Sequence, residues 1–181
     1  MEMTITEGLK RLKLLEKRMA RNCGEIERYS SILSNEKPAF DTEDKQRKEV
    51  KSLIQANIDL VQEYEKLKAS IDYTNLVIKV QIGDQTRTIH GWLTILRKTG
   101  QLLIQTYNSL STRDATTRQP RYRDQSTGQS PTVVRLYDEN QKRDGQRLWE
   151  DLTKGKEIEG RLEVVNATTQ LLEPPKPTEE R

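Results

Sequence analysis

Histidine occurs once in the 181 residues, cysteine once, phenylalanine once, and aromatics together make up only 5% of the chain. Each scarcity removes a class of function or fold. With His90 as the lone imidazole, a dyad, triad or metal cluster built on histidine would have to use it alone, and no Cys or acidic cluster stands beside it in sequence. His90 is therefore expected as a helix-start or interface residue. A single cysteine, Cys23, forbids an intramolecular disulfide and is expected to pack as a small apolar residue beside a helical seam, a reactive thiol being the alternative. No apolar run approaches the roughly 20 residues of a membrane-spanning helix. There is no phosphate-cradling glycine motif, no metal-ligand spacing and no serine nucleophile elbow. Carboxylates fall on predicted outer faces among Lys and Arg, so no paired-carboxylate site emerges. The expectation is a protein without cofactor or metal that is not an enzyme.

What is abundant is charge, 33% of residues, balanced as 31 basic against 28 acidic for a net of +3. Mixed charge of this kind makes no strong single-sign field. Few aromatics with many charges suit long amphipathic helices, each burying one stripe and leaving the rest to water. After Met1 come Glu2, Thr4, Thr6 and Glu7 rather than an apolar run, which predicts a cytoplasmic protein or a virion assembled in cytoplasm.

The expected fold class is mostly α: an antiparallel helical hairpin or coiled coil plus two further helices, with a short β-hairpin or arm near 76–89. Residues 1–172 are expected as a single helical domain and 173–181 as an extended Pro-rich tail. Thr4 and Glu7 spell a Thr-x-x-Glu capping box at the first helix start. From there Ile5, Leu12, Met19, Ile26 and Leu33 recur every seven residues, flanked by Leu9, Leu15, Cys23 and Tyr29, as in a coiled-coil seam. Pro38 breaks the pattern, and Asp41 or Thr42 can cap a second helix carrying Val50, Leu53, Leu60, Tyr64, Leu67 and Ile71. Joined by a short loop, the two fold back as a hairpin over 4–74, each arm about 40 Å long at 1.5 Å per residue.

Leu76 to Ile82 is rich in β-branched residues and is followed by Gly83-Asp84, which predicts a β-like arm over 76–89. A helix over 90–110 should present Trp92, Leu96, Leu103 and Leu110, with Leu93 and Ile95 broadening the stripe. A polar loop over 111–132 follows, longer than most connections in compact domains. The last helix, 138–172, carries Leu148, Leu152, Ile158, Leu162 and Val165, with a bend or break expected near Gly155.

Two stretches have the chemistry to meet a partner. Lys10, Lys13, Lys17 and Arg21 lie within about 80° of arc on the first helix. The stripe could hold phosphates, but the solvated outer face of a coiled coil is the favoured reading, since Glu16 and Glu25 dilute it. In the polar loop, Arg113, Arg118, Arg121, Tyr122 and Arg123 join forked donors to a rigid aromatic, a composition suited to nucleic acid or to a protein interface. A plain linker competes with both.

The segments Ile71-Asp72-Tyr73-Thr74-Asn75 and Asn166-Ala167-Thr168-Thr169-Gln170-Leu171 stand at the ends of the hairpin and of the last helix. In these, and in the order of its segments over nearly its whole length, the chain resembles the septicolysin-like bacterial family, with Ala167 where that pattern has tryptophan. The resemblance implies a helical hairpin, a central helix, an Arg-containing loop and a final helix. The family label also implies a pore-forming haemolysin, for which this sequence offers neither a membrane-inserting amphipathic segment nor a secretion signal. The leading expectation is a non-enzymatic structural or assembly protein, a homo-oligomer or one subunit among others, with a phage virion component as one concrete form and no membrane partner. A nucleic-acid-binding helical module is the alternative, and an enzyme with a composite interface site is a third.

Overall fold

The structure is a computed structural model that describes residues 2–122, 128–129, 131–153 and 156–175, without the side chains of Pro120 and Tyr122. It is mostly α-helical with one two-stranded antiparallel sheet. The chain divides into two compact units, Met1–Ile78 with Val164–Arg181, and Lys79–Glu163.

The first unit is built on α1 (Ile5–Tyr29) and α2 (Glu43–Val77). α1 begins with the expected capping box: Thr4 N–H donates to Glu7 Oε2 at 2.8 Å, and Glu7 N–H donates to Thr4 Oγ1 at 3.3 Å. Thr4 N–H, and after it the Thr4 hydroxyl at 3.0 Å, donate to Glu7 Oε2 and hold the carboxyl below its ordinary pKa. α2 starts on Thr42, whose hydroxyl accepts from Lys45 N–H, after Asp41 takes a left-handed φ of 74°. The connecting loop is tied down by one buried amide: Gln46 Nε2 donates to Tyr29 O at 2.8 Å, and its Oε1 accepts from Ala39 N–H at 2.9 Å. Tyr29 and Phe40 close the turn edge-to-face at 4.8 Å.

Burial along the heptad stripe is uneven. Ile5, Leu12 and Leu15 on α1 and Leu67 and Ile71 on α2 are buried at the open end of the hairpin, whereas Met19 and Ile26 are only half-covered. Leu33, expected as the last seam residue, is 65% exposed because α1 ends at Tyr29. Leu9 and Cys23 are exposed as well, a correction to their expected packing. The physical reason is the partner count: two helices bury one line each, so flanking positions stay open unless a third element covers them.

At the open end such an element exists. After α7 (Glu157–Thr168) the chain runs beside the start of α1: Ile5 N–H donates to Thr169 O, Leu171 N–H donates to Met3 O, and Thr4 bridges Gln170. Buried Thr74 gives its hydroxyl hydrogen to Ser70 O and accepts from Leu172 N–H at 2.9 Å. Gly8 lies beneath this strap, since a Cβ there would meet Leu171 Cδ1 at 3.0 Å and Ile71 Cδ1 at 3.2 Å. Thr74, in the first of the two segments quoted above, thus binds Leu172, the residue that directly follows the second.

The second unit opens with the expected hairpin, β1 (Lys79–Ile82) paired antiparallel with β2 (Gln85–Thr88) around Gly83-Asp84, with Gly83 at a φ of 54°. Val80 and Ile82 are buried while Lys79 and Gln81 face out. Thr88 then caps α3 (Ile89–Thr94), accepting from Gly91 N–H, and places His90 exposed in its first turn. A π-helical turn, Ile95–Thr99, joins α3 to α4 (Gly100–Ser109). Such a turn adds a residue to the helical repeat and rotates everything after it. The buried line therefore passes from Ile89, Trp92 and Ile95 to Gly100 and Ile104, instead of the expected Leu96, Leu103 and Leu110, which are half-covered.

The polar 111–132 segment is not wholly irregular. It contains α5 (Arg113–Arg118), followed by a 3-10 turn over Gln119–Tyr122. An Arg118–Asp114 pair at 2.9 Å spans one turn of α5, and Gln119 Nε2 donates to Pro131 O at 2.7 Å. The expected last helix is two, α6 (Glu139–Thr153) and α7, with Lys156 between them at a left-handed φ of 61°. The break falls where it was expected, although Gly155 itself lies outside the described residues. Leu148, expected inside, is exposed, while Leu152 is buried.

α6 packs on α4 through glycine. A Cβ on Gly145 would meet the Tyr107 ring at 2.3–2.8 Å, so the ring lies directly on the α6 backbone. Gly145→Ala should raise helix propensity by about 1 kcal/mol yet destabilise the protein by about 1–3 kcal/mol on balance, because the ring must leave its seat. Tyr107→Ala with Gly145→Ala should relieve the clash, and thermal melts of the single and double variants measure it.

Candidate functional site

The side chains nominated by sequence do not converge on a catalytic centre. Arg113 and Arg118 are exposed on α5, Arg118 already paired to Asp114, and Arg121 is exposed in the 3-10 turn. Tyr122 lies in that turn with its side chain undescribed, and Arg123 lies outside the described residues. Beside them Ala115, Arg118, Gln119 and Pro131 to Val134 line a shallow apolar hollow of about 400 Å³. Its far wall is an extended strip. Beyond the hollow Arg135 pairs with Glu139 at 3.2 Å and covers the Tyr137 ring at 5.6 Å, while Leu136 is 94% exposed.

The basic stripe of α1 remains on the outside: Lys10, Lys13, Lys17 and Arg21 are all exposed, and Arg21 Nε pairs with Glu25 at 3.1 Å. Among the described residues no group of three or more His, Cys, Asp or Glu could hold a metal ion. No helix of the described residues is long and apolar enough to cross a membrane.

More informative is the outer half of the hairpin, where the two flat faces differ. One face is charged. Arg18, Arg21, Asn22, Ala56, Asp59, Leu60 and Glu63 line a hollow of about 560 Å³, and Arg11 reaches Glu63 through Nε at 2.8 Å and Nη2 at 2.6 Å. Its partially exposed pair contributes at most about 1 kcal/mol.

The other face is apolar. Ile26, Ile54, Asn57, Ile58, Val61 and Gln62 line a groove of about 330 Å³, with Ile54, Ile58 and Val61 exposed to 45%, 46% and 43%. Asn57 Nδ2 donates at 3.4 Å to Met19 O and to Cys23 Sγ, which places the exposed cysteine at the groove edge. Among the described residues Asn57 Oδ1 is buried without a hydrogen-bond partner. At the inner end of this face Tyr64 O–H donates to Glu16 Oε1 at 3.1 Å, which raises the phenol pKa.

Sequence reading missed this groove although its signal was present. Val50, Ile54, Ile58 and Val61 recur by four, four and three residues, a second apolar line on α2 beside the seam. No family model, no curated protein and no solved structure matches this chain.

Proposed function

We propose that this is a non-enzymatic structural or assembly protein that oligomerises through its helical surfaces, of the kind a virion or similar particle uses as a subunit. The observation that carries the reading is the line of Ile54, Ile58 and Val61, three branched apolar side chains side by side and nearly half exposed on one helix face. Isolated exposed apolar residues are ordinary on a monomer, but a contiguous groove rimmed by polar residues marks an interaction surface. The nucleic-acid alternative draws less support: Arg21 and Arg118 each pair with a neighbouring carboxylate, and Glu16 and Glu25 dilute the Lys10 to Arg21 stripe.

Mass measurement across a dilution series tests the proposal. The expected result is a mass above that of the monomer which falls on dilution; a monomer at every concentration and salt condition rejects it. The loop contributes a second contact in this reading: alanine at Arg121, Tyr122 and Arg123 should leave helical circular dichroism intact and weaken assembly. Assembly equal to the parent would reduce the loop to a linker.

A further inference from the structure

Resting on the assembly reading above, we infer that the apolar groove of the hairpin binds the same groove of a second copy, with the two α2 helices antiparallel and crossing at Ile58. α2 carries two apolar lines. Leu53, Leu60, Leu67 and Ile71 are half-covered or buried on the α1 side, while Val50, Ile54, Ile58 and Val61 lie roughly 110° further round the helix at about 100° per residue. A helix with two such lines belongs to a bundle of more than two helices. Pairing two hairpins face to face supplies the missing helices and closes the assembly, because the surface is used by both copies.

The charges around Ile58 select the occupant and its direction. Lys51 lies seven residues before Ile58 and Glu65 seven residues after it, so both fall near the same helix line. An antiparallel copy centred on Ile58 sets each Lys51 against the other copy's Glu65, giving two cross-pairs. A parallel copy would instead oppose Lys51 to Lys51 and Glu65 to Glu65. Among the described residues neither makes an ion pair within the chain, whereas Arg47, Lys68 and Asp72 nearby are already paired.

The experiment uses the full chain in a Cys23→Ser background. Lys51→Cys and Glu65→Cys proteins are oxidised separately and as a mixture; the expected product is a disulfide-linked dimer in the mixture and little in either protein alone. Linkage of each protein with itself overturns the antiparallel register. Separately, Ile58→Asp should weaken self-association by about 30-fold or more, as loss of a central interface anchor does, with helical circular dichroism unchanged. Lys51→Glu should weaken it too, and Lys51→Glu with Glu65→Lys should restore it. A wild-type protein that assembles while the mixture gives no cross-link and Ile58→Asp changes nothing overturns this surface and leaves the assembly reading standing. A wild-type protein that stays monomeric overturns both.

Discussion

Trp92→Ala should cost about 3–5 kcal/mol of stability, among the largest single-site losses expected in the protein. The side chain is fully buried, and its indole Nε1–H donates to Val80 O at 2.8 Å, fastening α3 to the first strand of the hairpin. Arg87 covers the ring from the second strand at 5.7 Å. Removing the indole therefore empties a large volume and also takes one donor from the buried Val80 carbonyl, which keeps its place opposite Arg87 in the strand pair. Trp92→Phe separates the two effects: most of the apolar area returns, and only the indole's hydrogen bond to Val80 O is lost, at about 0.5–1.5 kcal/mol. Denaturant unfolding followed through Trp149, the other tryptophan, measures both variants. A loss in Trp92→Phe as large as in Trp92→Ala would mean that packing contributes little and the hydrogen bond nearly everything.

Leu15→Asp should unfold the hairpin end of the first unit, whereas Lys17→Asp, two residues away, should change stability by no more than about 0.5 kcal/mol. Leu15 is fully buried and Lys17 is exposed on the same helix. The aspartate would either strand an unpaired charge in an apolar core, at about 3–5 kcal/mol, or take up a proton. In the second case its folded pKa stands above the unfolded value, so the penalty grows as pH rises through the carboxylate range and eases in acid. Urea midpoints of both variants at neutral and mildly acidic pH provide the check. Equal and small effects would remove the packed seam, and an equal loss from Lys17→Asp would show that charge balance outweighs burial.

The two positions also show why a helix that is easy to find in sequence is harder to grade by depth. Ile5, Leu12, Met19 and Ile26 are equivalent in the heptad, yet burial fades from the first two to the last two because the strap at Thr169 to Leu172 covers only one end. A repeat records which side of a helix is apolar and says nothing about how many neighbours arrive there. The same limit applied to Cys23 and Leu9, which share the flank of the stripe and are exposed. On the candidate site, the Arg-rich loop could be named from composition, but its helical turn and its Gln119 to Pro131 closure could not.

By itself the sequence determined the local elements of this protein: the capping box at Thr4 and Glu7, the heptad hairpin, the strand pair around Gly83-Asp84 and the break after α6. These follow from short-range rules, in which backbone hydrogen bonds and side-chain periodicity involve residues a few positions apart. Only the tertiary structure decided which apolar lines are satisfied. The π-helical turn moved the buried face of the central helix onto Gly100 and Ile104, Gly145 admitted the Tyr107 ring, and Thr74 received the amide of Leu172 from 98 positions along the chain. It also left Ile54, Ile58 and Val61 uncovered. Burial is a property of the neighbours that long-range folding supplies, and two helices with one strap have too few of them to cover both lines of α2.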